Sequence, residues 1–278
     1  MSAIRTLAIL NFLITCINFT WIILIDNYAV FGQSISSTLD KYPTYLSPVD
    51  FSHKIWVLIA AIMTTATYLM FHSTHKVSRS MKTIRNISKI DHLLILNQFF
   101  CGMSLVFMLN NSFVISLIFM IATLLTIIII NKRLELHKIT MYSFTRYFTR
   151  LGFSLYTGWI IVVIIYTISI LCGKFSYSLS NPNIAYTFNI IILVSFSAAA
   201  LFYAFKYSFP AVSSALTWGI FCVAFKQETS HYYQYPGMKY WLYTIFALAV
   251  LFTLINYYRC YHSRKIEKEL RERLSSIS

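Results

Sequence analysis

Eight long apolar runs separated by polar linkers dominate the pattern of hydrophobic and polar positions along this chain. A helix needs about 20 apolar residues to cross the hydrocarbon core of a bilayer. A helix also satisfies its own backbone hydrogen bonds, which lipid cannot do. The pattern therefore predicts an all-α protein, a polytopic integral membrane helical bundle of about eight transmembrane helices. The predicted spans are Thr6–Ile25, Ile55–Phe71, Leu93–Met108, Phe113–Ile130, Gly152–Cys172, Ala185–Phe205, Val212–Phe225 and Lys239–Tyr258.

Basic residues alternate between the linkers, so that one side of the predicted bundle holds most of the 23 Lys and Arg residues. The other side holds Lys41, Lys54, Lys174, Lys226 and Lys239. Because positively charged loops are retained on the cytoplasmic side, this bias predicts eight crossings with both termini cytoplasmic. The rule defines sidedness relative to the insertion machinery, whichever membrane the protein occupies.

Composition and charge agree with a membrane protein. Hydrophobic residues make up 58% of the chain and charged residues 12%, well away from the soluble average. A formal net charge of +14 also occurs in nucleic-acid-binding proteins. Here the basic residues lie in the linkers that the topology requires to be basic. We therefore expect the lipid bilayer as the partner and no nucleic acid.

The apolar runs contain no Asp, Glu, Lys, Arg or His in their central portions. Ion-coupled carriers, proton pumps and voltage sensors carry such groups because the coupled charge needs a partner in the membrane. The chain has no zinc-protease, nucleophile-elbow, P-loop or dinucleotide motif. Its five cysteines show no CxxC spacing, and its seven histidines fall in linkers or at helix ends. We predict a protein that is not an enzyme and has no metal site.

Amide side chains are the polar groups that do lie in or near the apolar runs. They are Asn11, Asn18, Asn97, Gln98 and Asn189. An amide in hydrocarbon needs a hydrogen-bond partner, either on another helix or on a bound ligand. Both roles stay open at this point.

Two segments and one glutamine carry a resemblance to a known family. The segment Ser47–Trp56 (SPVDFSHKIW) resembles the Pro-x-x-Phe-x-x-x-x-Trp segment that opens the second helix of the TspO/MBR family, the tryptophan-rich sensory or translocator proteins. The segment Phe153–Ile160 (FSLYTGWI) is similar to the Tyr-x-x-Trp of that family's last helix, and closer to the form in its larger relatives. Gln98 matches a glutamine of the third helix. The chain departs from the family pattern at Gly102, Leu105 and Thr167.

The resemblance implies a domain organisation. Residues 1–172 would form a TspO-like five-helix core, residues 173–258 three additional transmembrane helices, and residues 259–278 a charged cytoplasmic tail. It also implies an aromatic pocket between helices, under the first long loop, that takes a tetrapyrrole or a sterol-like lipid. The ligand-binding residues it implies are Phe51, Trp56, Gln98, Tyr156 and Trp159.

Two functions are carried forward. The first is a membrane protein that binds, senses or transports a hydrophobic small molecule, with a tetrapyrrole or lipid as the expected ligand and no certain cofactor. The second is a structural or accessory subunit of a membrane complex, or a homodimer, that contacts its partners through the charged tail and the Tyr-rich loop 232–235.

Overall fold

The chain is built almost entirely of helices. The computed structural model describes residues 2–30, 32–75, 81–138, 144–178, 182–229 and 236–275, and in these it contains no strand. A short 3-10 helix, Asp50–Lys54, leads into the third α-helix. The α-helices are α1 (Ser2–Tyr28), α2 (Ile35–Asp40), α3 (Ile55–His72), α4 (Met81–Ile90), α5 (Leu93–Leu109), α6 (Phe113–Arg133), α7 (Phe144–Ser178), α8 (Pro182–Lys206), α9 (Pro210–Thr229) and α10 (Pro236–Ser275).

Each of the eight predicted spans coincides with one long helix, which confirms the polytopic helical bundle. Within the described ranges, six helices are long and apolar enough to cross a membrane by themselves: α1, α3, α6, α7, α8 and α10. A seventh span results if α4 and α5, which meet at a bend of 50°, are taken together. Eight crossings therefore also require α9.

Helix α9 is less apolar than those six helices and lies between other helices of the bundle. It contacts α7, α8 and α10, so it is enclosed by protein on several sides. Its apolar residues Val212, Ala215 and Leu216 are fully buried. A helix that other helices surround needs less apolar surface than one that faces lipid, since its polar groups are shielded from hydrocarbon.

Helix α7 is the centre of the bundle. Of its most apolar 18-residue stretch, 78% is buried, and it contacts α3, α6, α8 and α9. A helix that is hydrophobic all round is one that is buried on all sides. α1 packs on α3 and α5 on one side of α7, while α8, α9 and α10 form the other side.

A single hydrophobic core includes residues from α1 through α10. It therefore contains both the predicted five-helix core and the predicted additional helices. The core is continuous across residue 172, and the predicted boundaries at residues 172 and 258 stay predictions.

The two short linkers form the tight antiparallel hairpins that their lengths predict. Asn111 (φ 60°) reverses the chain between α5 and α6, and Ser208 (φ 54°) does so between α8 and α9. In the second hairpin, Phe209 N–H donates to the Ala204 carbonyl at 2.8 Å, which closes the end of α8.

Small residues four positions apart, Ser195 and Ala199 on α8 and Ala215 and Gly219 on α9, predict close helix contact, and the structure shows it at the pair on α9 but not at the pair on α8. A Cβ added to Gly219 would lie 2.6 Å from Val162 of α7, and Ala215 is fully buried against the same helix. On α8, Ser195 and Ala199 are exposed, and Ala200 and Ala204 are buried instead. The expected α8 packing face was therefore wrong, because four-residue spacing marks several faces of a helix and does not say which one packs.

Three short elements, α2, the 3-10 helix and α4, have no counterpart among the predicted spans. α4 is amphipathic, with Thr83, Ile87 and Ile90 buried and Lys82 exposed, as suits a helix that lies at a membrane surface. The long first linker forms α2 and the 3-10 helix. The Tyr-rich loop 232–235 falls outside the described residues.

Candidate functional site

Four aromatic rings from three helices meet in the middle of the bundle. Tyr156 and Trp159 lie on one face of α7, because residues three apart on a helix are neighbours. Trp56 of α3 lies 6.1 Å from Tyr156 and 6.3 Å from Trp159, measured between ring centroids. Phe19 of α1 lies 6.0 Å from Tyr156 and 6.3 Å from Trp56. These distances and tilted geometries are those of favourable aromatic pairs. We call these four residues the aromatic cluster.

The aromatic cluster is buried but has unpaired polar atoms. Tyr156 and Trp159 are 0% exposed, and Trp56 is 3% exposed. The Tyr156 hydroxyl and the Trp159 indole Nε1 have no hydrogen-bond partner among the described residues. The hydroxyl lies beside the thiol of Cys101, which is only a weak hydrogen-bonding group. A buried polar group without a partner costs about 1–3 kcal/mol, so two in one cluster need an explanation.

His53 adds a third polar side chain at the edge of this cluster. Its ring centroid is 6.4 Å from that of Trp159, and the residue is 4% exposed. The Nδ1 atom of His53 and the hydroxyl of Ser52 also have no hydrogen-bond partner among the described residues. Sequence reasoning placed His53 in a linker. The feature of the sequence that could have placed His53 near the cluster is its position three residues before Trp56. The 3-10 helix continues into α3 there, so both side chains lie on one face.

Gln98 lies near the cluster but is engaged in a chain of amides. Asn18 of α1 donates to Gln98 Oε1 at 2.7 Å, and Gln98 Nε2 donates to Asn97 Oδ1 at 3.3 Å. Asn97 in turn donates to the Thr123 carbonyl and the Thr126 hydroxyl of α6, both at 2.8 Å. These amides therefore link α1, α5 and α6, which is the interhelical role that the sequence left open.

Phe51 lies on a different side of the 3-10 helix. It is 38% exposed, and its ring is 5.8 Å from both Trp218 and Phe225 of α9. Of the five predicted ligand-binding residues, the structure brings together Trp56, Tyr156 and Trp159. It places Gln98 next to them through Asn18 and places Phe51 apart, against α9.

The long first loop lies over α9. Trp218 Nε1 donates to the Ser52 carbonyl at 3.2 Å, and Gln227 Nε2 donates to the Tyr45 carbonyl at 3.0 Å. Val49 N–H donates to the Cys222 carbonyl at 3.3 Å. The loop is thus held by hydrogen bonds to the helix beside the cluster, and the 3-10 helix that carries His53 is held with it.

Three surface cavities are described, and none of the five predicted residues lines them. The largest, about 430 Å³, lies between α7, α9 and α10. Two of about 320 Å³ lie between α9 and α10 and between α8 and α10. Among the described residues, no group of three or more His, Cys, Asp or Glu side chains is arranged to hold a metal ion.

Comparison with known families gives one match. Residues 8–268 match the model of the family described as TSPO-like protein. No curated protein and no solved structure matches the chain. The matched range extends from α1 into the last part of α10, and so includes all eight long helices.

Proposed function

Because the chain belongs to the TSPO-like protein family, we propose that it binds a hydrophobic small molecule within the membrane, as a sensor or transporter. The ligand class we propose is a flat, largely apolar molecule, a tetrapyrrole or a sterol-like lipid. Such a ligand stacks on aromatic faces, and a few polar groups fix its orientation. We also propose that the protein is not an enzyme.

The observation that carries this proposal is the pair of unpaired polar atoms in the aromatic cluster. The Tyr156 hydroxyl and the Trp159 indole N–H are buried among rings, where each costs free energy unless something accepts or donates a hydrogen bond. Carboxylate or hydroxyl groups on an otherwise apolar ligand would satisfy both. Because the cluster is closed, binding requires that the neighbouring helices separate, and the loop over α9 is the element best placed to admit the ligand.

The proposed roles differ among the predicted residues. Trp56 and Trp159 provide stacking surface, and Tyr156 and Trp159 provide hydrogen bonds. Gln98 positions α5 through Asn18, since both ends of its amide are already paired. Phe51 would contact the ligand only where the loop meets α9.

The test is titration of the purified protein with protoporphyrin IX, followed by tryptophan fluorescence and by the absorption of the bound pigment. Tyr156→Phe removes only the unpaired hydroxyl, and Trp159→Phe removes the indole N–H and part of the stacking surface. We expect each change to weaken binding by about tenfold, the effect of one hydrogen bond worth about 1.4 kcal/mol. Tyr156→Phe should leave the thermal midpoint unchanged or raise it, because the hydroxyl loses only its contact with the weakly hydrogen-bonding thiol of Cys101.

The matched control is Trp241→Phe, since Trp241 lies near the start of α10 and is 45% exposed. This variant should bind the pigment as the wild type does. Equal affinity in wild type, Tyr156→Phe and Trp159→Phe would remove the aromatic cluster as the ligand site.

The alternative is an accessory subunit, and the observation that favours it is the surface of α10. Only 22% of the most apolar stretch of α10 is buried, and it exposes Leu248, Leu251 and Leu254. This face contacts either lipid or another membrane protein. Purification in mild detergent separates the two functions. An accessory subunit would co-migrate with a stoichiometric partner and carry no ligand, whereas a binder would carry the ligand alone.

A further inference from the structure

The largest described cavity lies beside the first part of α7, at the end of the bundle where the basic residues collect, and its lining on α7 ends at Ser154, two residues before Tyr156 of the aromatic cluster. It has a volume of about 430 Å³, within the range of small-molecule sites. Its lining comes from the start of α7, the start of α9 and the middle of α10. The lining residues are Tyr147, Arg150, Leu151, Ser154, Pro210, Ala211, Tyr257, Tyr258, Cys260 and Tyr261. We call it the basic-side cavity.

Arg150 forms the polar floor of the basic-side cavity. The residue is 5% exposed, and its guanidinium donates to the Ser208 carbonyl and lies 3.7 Å from Cys260 Sγ. Its Cζ also lies 5.7 Å from the centroid of the Phe209 ring. The α8–α9 turn therefore fixes this guanidinium in place. A fixed, planar guanidinium binds phosphate oxygens well, because it offers several N–H donors in one plane.

The walls of the cavity are those of a lipid site. Tyr147, Tyr257, Tyr258 and Tyr261 are all partly exposed, from 42% to 68%. Tyrosine favours the headgroup level, where its ring meets acyl chains and its hydroxyl meets water. Among the lining residues that the structure describes, none is acidic. Leu151, Pro210 and Ala211 add apolar surface.

Further basic residues surround this end of the bundle. Arg259 of α10 donates to the Phe205 carbonyl at 3.1 Å and lies over the Phe205 ring. Lys206 lies over the rings of Phe202 and Tyr207. Anionic lipid headgroups concentrate at such basic sites between transmembrane helices.

We propose that the basic-side cavity binds the headgroup phosphate of an anionic phospholipid, with Arg150 as the phosphate ligand and the tyrosines against the glycerol and upper acyl chains. The site is separate from the aromatic cluster and does not depend on the function proposed for that cluster. Free phosphate shares the charge chemistry. The partly apolar walls favour a phospholipid, and not a free anion, as the source of the bound phosphate group.

The experiment measures the thermal midpoint of the full-length protein in detergent during titration with dioleoylphosphatidylglycerol, dioleoylphosphatidylcholine or inorganic phosphate. A ligand that binds only the folded state raises the midpoint in a concentration-dependent way. Phosphatidylglycerol should raise the midpoint, and the other two should not. In Arg150→Gln, the apparent affinity for phosphatidylglycerol should fall by about tenfold or more, as expected for losing a hydrogen bond to a charged group.

Lys132→Gln is the matched control, because it removes one positive charge on the same predicted side, at an exposed residue near the end of α6 that does not line the cavity. It should keep the response to phosphatidylglycerol. If Arg150→Gln does not fold, Tyr258→Ala replaces it as the test. Tyr258 is 67% exposed, so its loss should weaken the lipid response without unfolding the protein.

Three results would overturn the proposal. The first is that the lining variant, Arg150→Gln or Tyr258→Ala, binds phosphatidylglycerol with the affinity of the wild type. The second is that phosphatidylcholine raises the midpoint of the wild type as much as phosphatidylglycerol does. The third is that inorganic phosphate does so. The last would assign the cavity to a free anion.

Discussion

Gly158 is a residue at which α7 and α9 approach each other closely. A Cβ added there would lie 2.5 Å from the Val212 carbonyl oxygen and 2.9 Å from Val212 Cα. Both are backbone atoms, so no side-chain rotation relieves the contact. The hydrogen side chain of this glycine is what allows the two helices to pack, in keeping with the use of small residues at helix contacts in membranes.

Gly158→Ala should therefore destabilise the protein. Overpacking of this kind costs about 1–3 kcal/mol, and here the helices must separate. We expect a lower thermal midpoint in detergent and a smaller folded fraction by size-exclusion chromatography. Gly173→Ala in the same helix is the control, because its nearest atom would be Thr44 Cγ2 at 3.7 Å, an ordinary contact. Equal midpoints for the two variants would contradict the close approach.

At the residue scale, helical spacing predicts which side chains of α7 lie together in the aromatic cluster better than it predicts what each of them contacts. The three-residue spacing of Tyr156 and Trp159 puts them on one face of α7, where both are buried in the aromatic cluster. The spacing could not show that Phe19 of α1 would complete the cluster, because nothing in α1 records which helix faces it. It also could not show that Asn18 and Asn97 would occupy both ends of the Gln98 amide.

At the element scale, the first loop and α9 form a unit that linker composition did not predict. Besides its hydrogen bonds to α9, the loop is held by an ion pair of 3.1 Å between Lys226 and Asp40. Surface ion pairs contribute only about 0–1 kcal/mol. The bond from the Trp218 indole to the Ser52 carbonyl is better protected, since Ser52 is fully buried.

Trp218→Phe should loosen the 3-10 helix Asp50–Lys54. The change keeps the ring and removes one hydrogen bond, worth about 1 kcal/mol, so local protection should fall roughly fivefold. Hydrogen–deuterium exchange across residues 45–54 measures this directly. Trp241→Phe, which alters a tryptophan near the start of α10, serves as the control. Unchanged exchange in Trp218→Phe would mean that the other contacts of the loop hold it by themselves.

α4 is one element that sequence reasoning missed, and it shows that mean hydropathy is a poor guide to short amphipathic helices. Its basic residues identified it as a linker, and three buried positions on one face make it a helix. An amphipathic helix of ten residues has a low mean hydropathy, so a search for long apolar runs does not find it. α9 is a long helix that the search did find. It was predicted as a span from its central apolar residues, and its polar residues lie near its two ends.

At the scale of the whole molecule, the number of crossings decides where the termini lie. Eight crossings place both termini on one side, whereas seven would place them on opposite sides. The bias of Lys and Arg between the linkers favours eight, with both termini cytoplasmic. On this topology, the basic-side cavity faces the cytoplasmic leaflet.

Protease protection tests the topology. We expect epitope tags at the two termini to be cleaved together in sealed vesicles of one orientation and protected together in the other. A tag inserted after Lys41, in the first loop, should show the opposite pattern. If the two terminal tags differ within one preparation, the number of crossings is odd and α9 does not span the membrane.

The sequence by itself determined that this is a helical membrane protein, where its long helices lie, and which aromatic residues share a face of α7. These properties depend on hydropathy and on hydrogen bonds within one helix, which are local along the chain. Only the tertiary structure decided which helix faces meet. The packing of these faces brings Trp56 into contact with Tyr156 and Trp159, and it pairs the Gln98 amide with its neighbours. It also places Phe51 against α9 and Arg150 beside Cys260. In lipid all apolar faces are nearly equivalent, so packing shape and a few polar contacts select the partners, and neither can be read from one helix alone.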